Sequence, residues 1–330
     1  GWDCVGATMT LYRNEDIGIS RSRTCCSLED VEDARSVAFR LCIPYYVFNL
    51  SDEFLRQVID RFADAYVKGL TPNTCIDCNR YLKFRHLYDR AALLGCDAIA
   101  TGHYARIEQE NGRYLLKKAL DESKDQSYVL YMLTQEQLAH TRFPLGALHK
   151  AETRQLASSL GFFNARKPDS QDICFVPDGD YAAFIRRHTG KADTPGDFVD
   201  ESGRTLGCHK GIAHYTIGQR KGLGIPSNQP LYVKAIDPKS NQVVLSGNNA
   251  LFSQQLTGEN FNWIAWEAPP RQFRCSAKIR YRQTEQPCKV TVEEDSSVQV
   301  LFDRPQRAIT PGQAVVLNDG DTVLGGGTIL

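Results

Sequence analysis

Cys96-Asp-Ala-Ile-Ala-Thr-Gly102 is a short apolar run that starts where Gly95 ends a helical pattern carrying Phe84, Leu87, Ala91 and Leu94. A short, mostly apolar run of this length bounded by glycines has the profile of a buried parallel strand. The segments before it repeat the arrangement. Ser51 is placed to cap a helix whose Phe54, Val58, Phe62, Ala65 and Tyr66 form one face before Gly69 stops it. Pro44-Tyr-Tyr-Val-Phe48 reads as a strand. Further back, Ser27-Leu-Glu-Asp30 resembles a capping box ahead of Val31, Ala34, Val37, Ala38 and Leu41 at helical spacing, and Val5 to Leu11 reads as the first strand. Strand and helix alternating in this way predict an α/β fold with a doubly wound, mostly parallel sheet.

The texture changes twice toward the C-terminus. Residues 145–204 hold one helical pattern from Glu152 to Leu160, the polar loop ARKPDSQDICFVPDGD and a second helical stretch from Tyr181 to His188, which together predict a small α-rich linker domain. From about 205 the pattern is all-β, with runs at Leu231–Ile236, Gln242–Leu245, Arg274–Tyr281, Lys289–Val292, Val298–Phe302 and Ala314–Leu317. Such spacing suggests a β-barrel. The expected domains are therefore 1–144, 145–204 and 205–330.

Composition narrows the class of protein. The 330 residues contain 39 basic and 39 acidic side chains and are 42% hydrophobic, which excludes a disordered, collagen-like or globally basic chain. Nucleic-acid contact must then come from local patches. No stretch approaches a membrane span, and GWDCVGATMTLY has neither a basic n-region nor a cleavage site, so a cytosolic setting with no membrane partner is expected. Gly1 opens directly on an apolar run, which is read as a chain whose start is missing. Eleven cysteines at irregular spacing, with no export signal, argue for reduced thiols rather than a disulfide framework.

The chemistry-bearing residues fall in a few places. Ala100-Thr-Gly-His-Tyr104 lies at the carboxyl end of a predicted strand, where open α/β sheets bind ligands; Gly102 permits close backbone approach and His103 stands beside it. A histidine there is more often structural. Thr71-Pro-Asn-Thr-Cys75-Ile-Asp-Cys78 carries a C-x-x-C spacing that alone fits a redox pair, half a metal site or two unremarkable thiols. Cys174 sits in a polar loop where packing does not explain it. Cys42 and Cys96 lie among apolar residues and read as small hydrophobes, and Cys4, Cys275 and Cys288, in or beside strands, take the same reading. Cys208 is unassigned; Cys25 and Cys26 read as local structure. Two stretches, Ser202–Ile236 and Arg271–Arg282, contain basic residues and no acid, the second interleaved with Phe273 and Tyr281. Lysine and arginine with aromatics beside them suit phosphate and unstacked bases.

Read together, TPNTCIDCNRYLKF, ATGHYAR, SKDQSYVLYML, KPDSQDICF, HYTIGQRKGLGI, KIRYRQ and TPGQAVVL stand in an order that resembles the bacterial tRNA-specific 2-thiouridylase family over essentially the whole chain. The resemblance implies a tRNA-uridine 2-sulfurtransferase: ATP with Mg2+ adenylates the carbonyl oxygen of the wobble uridine, position 34, and a cysteine persulfide then replaces that oxygen with sulfur. By resemblance Cys174 carries the persulfide and Cys78 attacks it or the activated base, leaving a Cys78–Cys174 disulfide for reduction. Met9 and Gly102 match ATP-binding positions. Asn73, Thr74 and Cys75 match the target-base loop, and His103, Lys124, Asp125, Gln126, Arg280, Tyr281 and Gln313 match tRNA contacts. The implied partners are tRNA, in particular Glu, Gln and Lys acceptors, and a cysteine desulfurase or sulfur-relay protein.

Two departures from the family pattern carry expectations. Relatives hold the ATP phosphates in a glycine- and serine-rich SGGVDSS-like loop ahead of these residues. No such segment occurs in the sequence, and the chain alone is expected not to adenylate tRNA. Where many relatives have an aspartate, position 75 is a cysteine, so Cys75, Cys78 and Cys174 are candidate ligands for a 4Fe-4S cluster, with Asp77 as a replacement carboxylate. Two other readings stay open: a non-catalytic RNA-binding fragment, and an amide-forming ATP pyrophosphatase relative. The latter does not predict two distant cysteines or a basic barrel.

Overall fold

The computed structural model describes residues 1–12, 28–167 and 173–330. Ser27, Cys25 and Cys26 lie outside the described residues, as do residues 168–172 of the loop before Cys174.

Strands β1 (Gly6–Thr10) and β2 (Tyr45–Asn49) pair in parallel, Gly6 opposite Tyr45, with helix α1 (Leu28–Arg40) crossing between them. Helix α2 spans 51–67, its middle turn, Leu55–Ile59, wound in the wider π form. Phe54, Val58, Phe62 and Tyr66 recur every fourth residue and are all buried, so one face of α2 is spent on the core. Helix α3 covers 74–93 and is again π-wound from Cys78 to His86. A second parallel pair joins β3 (Ile99–Ala100) to β6 (Thr141–Arg142). Between them lie the hairpin β4 (Ala105–Glu110) and β5 (Arg113–Lys118) and helix α4 (Gln135–Ala139), which starts at a Thr134–Gln137 capping box.

Helices α5 (Lys150–Ser159) and α6 (Tyr181–Thr189) confirm the α-rich character of the next stretch. It ends sooner than the sequence reading places it. Strands β7 (Gly196–Val199), β8 (Thr205–His209), β9 (Tyr232–Asp237) and β10 (Gln242–Ser246) form a separate sheet in the order β8-β7-β10-β9 around Phe198, Val233, Val243 and Leu245. The expectation that 205–246 belong to the barrel is corrected. Strand spacing cannot say which sheet a strand joins, and the parallel pairing of β10 with β7 takes this stretch elsewhere.

The barrel contains β11 (Phe252–Trp263), β12 (Gln272–Lys278), β13 (Gln286–Val292), β14 (Val298–Arg307), β15 (Ala314–Asp319) and β16 (Thr322–Ile329). Six strands run in the order β11-β14-β13-β12-β15-β16, and β11 pairs with β16 to close the ring. The β4–β5 hairpin then extends β16 through Thr322 opposite Lys117, so the first domain shares a sheet with the last. Lys118 reinforces the join, its Nζ reaching Glu285 at 2.7 Å and the Gly320 carbonyl at 2.7 Å. Gly326 explains how closely the two bodies approach: a Cβ there would lie 2.7 Å from the Tyr131 ring. Among the described residues no helix is long and apolar enough to cross a membrane.

Candidate active site and RNA-facing cleft

Asn73 starts α3, its Oδ1 accepting the Cys75 amide at 3.1 Å. This cap leaves Cys75 exposed and Thr74 buried. One turn further on, Cys78 is half-buried and packs against a cluster formed by Leu11, Tyr12, Phe54, Phe62 and Phe175. Cys174 packs against the same cluster. Its position is set by its neighbour: Phe175 is fully buried, edge-on to Phe54 at 5.6 Å and to Phe62 at 5.3 Å. Burying such a ring is worth about 2 kcal/mol or more. Tyr12, just beyond β1, donates from its hydroxyl to the Cys174 carbonyl at 2.8 Å. On the other side of the loop, Lys167 reaches Asp30 at 2.5 Å and Asp33 at 2.9 Å on α1. The two cysteines, remote in sequence, thus share one hydrophobic support.

Met9 lies near the carboxyl end of β1 and packs against that cluster. Gly102 follows β3, and a Cβ there would meet only Leu145 at 3.7 Å, so the backbone is open to an approaching ligand. Both occupy strand ends of the kind that hold nucleotides in parallel sheets. His103 is placed differently. It is buried, its Nδ1 2.8 Å from Thr101 Oγ1 and its Nε2 3.4 Å from Lys83 Nζ, with rings of Phe84 and Phe143 against it. Burial, aided by the Lys83 charge, pushes it down to about 3, so the imidazole is neutral.

A cleft of about 930 Å3 opens between this domain and the barrel, lined by Gly102, Lys124, Tyr128, Lys278, Tyr281 and Arg282 among others. Asp125 and Gln126 shape its rim. Asp125 accepts from the amides of Ala119 and Ser127 and from the Ser127 hydroxyl, while Gln126 exchanges two hydrogen bonds with the Tyr104 backbone. Lys278 Nζ stands 5.9 Å from the Tyr128 ring centre and 5.8 Å from that of Tyr281, an ammonium between two aromatic faces. Burial lowers its proton affinity. Burial also raises the Tyr281 phenol, with Asp125 and Cys75 adding to the effect, which sets Cys75 electrostatically close to the cleft. In the cleft wall, Asn318 Oδ1 and Gln283 Oε1 are buried acceptors with no donor among the described residues. Such groups are costly unless a ligand or water supplies the missing hydrogen bond.

Arg280 and Gln313 act as ties. The Arg280 guanidinium donates to the Ala308 carbonyl and Thr310 hydroxyl, each at 2.8 Å, and to the Ile217 carbonyl of the middle domain at 3.4 Å. Gln313 donates to the Thr71 carbonyl at 2.6 Å, two residues before Asn73. Gly312 beside it has φ of +88°, and a Cβ would stand 3.0 Å from the Thr71 nitrogen. The stretch leading to Asn73 is therefore held by the barrel.

Two sequence expectations change. The basic stretches are less free than their local composition suggests, because acids outside them pair with Arg204 (Asp200, 3.0 Å), Lys234 (Glu201, 2.5 Å) and Arg274 (Asp303 on β14, 2.6 Å). Nor do Cys75, Cys78 and Cys174 make a three-ligand set: among the described residues no three His, Cys, Asp or Glu side chains are gathered to hold a metal. Cys75 is exposed at the first turn of α3, whereas the other two thiols sit against the apolar cluster. The residues do not fit a cluster, and no step is routed through one. Asp77 faces Arg61 at 3.6 Å in a separate recess of about 190 Å3 with Arg80 and Tyr131, where burial raises its carboxyl. Sequence reasoning missed Tyr12 and Asn318, which depend on chain crossings; Lys278 and Gln283 lie within the KIRYRQ motif, where only the basic residues and Tyr281 were given a role.

The class defined by this fold is matched by three family models in chain order: a tRNA methyl transferase HUP domain over residues 1–178, a tRNA methyl transferase PRC-barrel domain over 182–247 and an aminomethyltransferase β-barrel domain over 253–329. Among curated proteins, the chain is 52% identical over 332 residues to tRNA-specific 2-thiouridylase MnmA 1 of Thermoanaerobacter sp. strain X514, covering 100% of the chain and 91% of that protein. The MnmA proteins of Acetivibrio thermocellus and Clostridioides difficile are 49% and 47% identical, again over 100% of the chain and 92% and 91% of theirs. The chain belongs to the tRNA-specific 2-thiouridylase family.

Proposed function

We propose that the chain is a tRNA sulfurtransferase that converts the wobble uridine to 2-thiouridine, with Cys174 as the persulfide carrier and Cys78 as the resolving thiol. The observation that carries this reading is their shared support: two thiols far apart in sequence pack against one cluster, beside the capped turn that bears Asn73 and Cys75. ATP, bound with Mg2+ near Met9 and Gly102, supplies the adenylyl group that makes the uridine O2 a leaving group. The outer sulfur of the Cys174 persulfide forms a bond to C2 as the C2–O bond breaks and AMP departs. Cys78 then attacks the Cys174 sulfur, the C2–S unit leaves as the thiocarbonyl, and a Cys78–Cys174 disulfide is left for a thiol reductant to open.

The cleft supplies the RNA side of this reading. Lys124, Lys278 and Arg282 suit phosphate, Tyr281 offers a face for an unpaired base, and the orphan oxygens of Asn318 and Gln283 suit base N–H donors. Asp125 and Gln126 act by shaping the rim, and Arg280 and Gln313 by fixing the barrel and the target loop. The proposal extends to Glu, Gln and Lys tRNAs as substrates, to a cysteine desulfurase or sulfur-relay protein as donor, and to a cytosolic setting. The test is ATP-dependent thiolation of tRNA in the presence of a persulfide donor, read by retardation on a mercury gel, with an SGGVDSS-like phosphate-binding segment of the kind relatives carry supplied ahead of residue 1, since these residues without one are expected not to adenylate tRNA. Cys78→Ser and Cys174→Ser are expected each to abolish the retarded band while tRNA binding persists. Thiolation by either variant would sink the mechanism, and tight binding with no persulfide on Cys174 would favour a binding role alone.

A further inference from the structure

Cys275 and Cys288 stand directly opposite each other on β12 and β13, with their sulfurs 3.7 Å apart. Cys288 is fully buried in the barrel core, while Cys275 is half-buried on the same side of the hairpin. We propose that these two thiols form an oxidisable pair, a site of covalent modification at which a low-molecular-weight disulfide installs a cross-strand bond between β12 and β13.

The backbone already permits the bond. Directly opposed residues of an antiparallel ladder have Cα atoms about 4.5–5.5 Å apart, inside the range of about 4.4–6.8 Å that a disulfide spans. Only side-chain rotation is needed to bring sulfurs in contact to bonding distance. Unequal exposure sets the order of events. The Cys275 thiolate attacks one sulfur of the small disulfide and expels one thiolate. The Cys288 thiol then loses its proton and displaces the second, so one S–S bond forms in the barrel, one breaks in the reagent, and two electrons and two protons pass to two small thiols. Hydrogen bonding to Cys288, together with burial, pushes the Cys275 thiol upward, which keeps the pair protonated at rest and its reaction slow near neutrality.

The consequence reaches the cleft. The loop between the two strands carries Arg280, Tyr281 and Arg282, and Lys278 ends β12. A bond at the base of that hairpin staples the barrel's contribution to the RNA-facing surface. This site is independent of Cys78 and Cys174, which lie in another domain.

Peptide mapping tests the pair. The full chain is equilibrated with oxidised glutathione in native buffer, remaining thiols are alkylated, and the digest is analysed by mass spectrometry. The expected product is a cross-linked pair of peptides containing Cys275 and Cys288, two hydrogens lighter than their reduced sum, restored by dithiothreitol and losing its selectivity over other cysteine pairs in urea. Recovery of both residues alkylated, or each with its own glutathione adduct, would overturn the proposal. In Cys275→Ser, Cys288 is expected to stay unmodified; a glutathione adduct on it there would refute the order of attack.

Discussion

The Tyr12 hydroxyl donates to the main-chain carbonyl of Cys174 at 2.8 Å, so a residue just beyond the first strand holds the one proposed to carry sulfur. Tyr12 is itself buried, 5.6 Å from the Phe54 ring. Tyr12→Phe keeps the ring and removes the donor. A hydrogen bond of this kind contributes about 1 kcal/mol, and urea unfolding is expected to show a loss of that order. The more telling readout is the rate at which the Cys78–Cys174 disulfide forms under mild oxidation. It should fall in Tyr12→Phe, and an unchanged rate would mean that the bond does not position the loop.

Gln313 makes a comparable tie at the other thiol. Its side chain meets the Thr71 carbonyl at 2.6 Å, and Thr71 in turn donates to the Pro311 carbonyl at 3.0 Å, so the stretch leading to Asn73 is clasped from the barrel. Gln313→Ala is expected to cost about 1 kcal/mol in chemical denaturation. If the clasp presents the target loop, tRNA affinity should drop with it. Gln313→Glu supplies an acceptor opposite an acceptor and should be worse than alanine in both measurements.

How much of this was readable beforehand follows from the range of each interaction. The helix at 51–67 announces itself through local period, because the apolar face that sets the period is the one buried, and the strands at 6–10 and 45–49 show as short apolar runs. The β4–β5 hairpin escaped notice: Ala105–Lys118 is rich in charged residues that pair with one another and with Asp321 across the junction, hiding the alternation of a half-buried strand. The allocation of β7 to β10 failed for a related reason, since pairing partners are not written in a strand's own pattern. Cys78 and Cys174 were recognised from their motifs, yet the reason they share a support is the nest of Phe54, Phe62 and Phe175, a meeting of helix α2 with a segment more than a hundred residues further on. Tyr12 belongs to that nest and was invisible for the same reason.

His103 makes stability depend on pH in a definite direction. Its folded-state value is pushed down to about 3 from 6.5, chiefly by burial. Between those limits the unfolded chain binds a proton that the folded chain does not, so acid favours unfolding and stability falls as pH drops below 6.5. The slope contributed by one such group is at most about 1.4 kcal/mol per pH unit. Comparing urea midpoints from pH 7 downward, His103→Gln is expected to show a shallower acid loss than the parent chain. Equal slopes would show that other groups dominate.

Asn318 provides the sharpest separation between folding and recognition. Its Oδ1 is buried in the cleft wall with no donor among the described residues, which makes it a desolvated acceptor. Leaving such a group unpaired costs about 1–3 kcal/mol, and an apolar replacement of similar size removes that cost. Asn318→Leu should therefore unfold at equal or higher temperature than the parent chain. If the oxygen receives a base N–H, the same substitution should weaken tRNA binding at least about tenfold, the affinity equivalent of about 1.4 kcal/mol. Lys278→Ala should weaken binding in another way, by flattening the dependence of affinity on salt through loss of one phosphate contact. Calorimetry and filter binding across a salt series distinguish the two, and an Asn318→Leu chain that binds tRNA as tightly as the parent would remove that oxygen from the RNA interface.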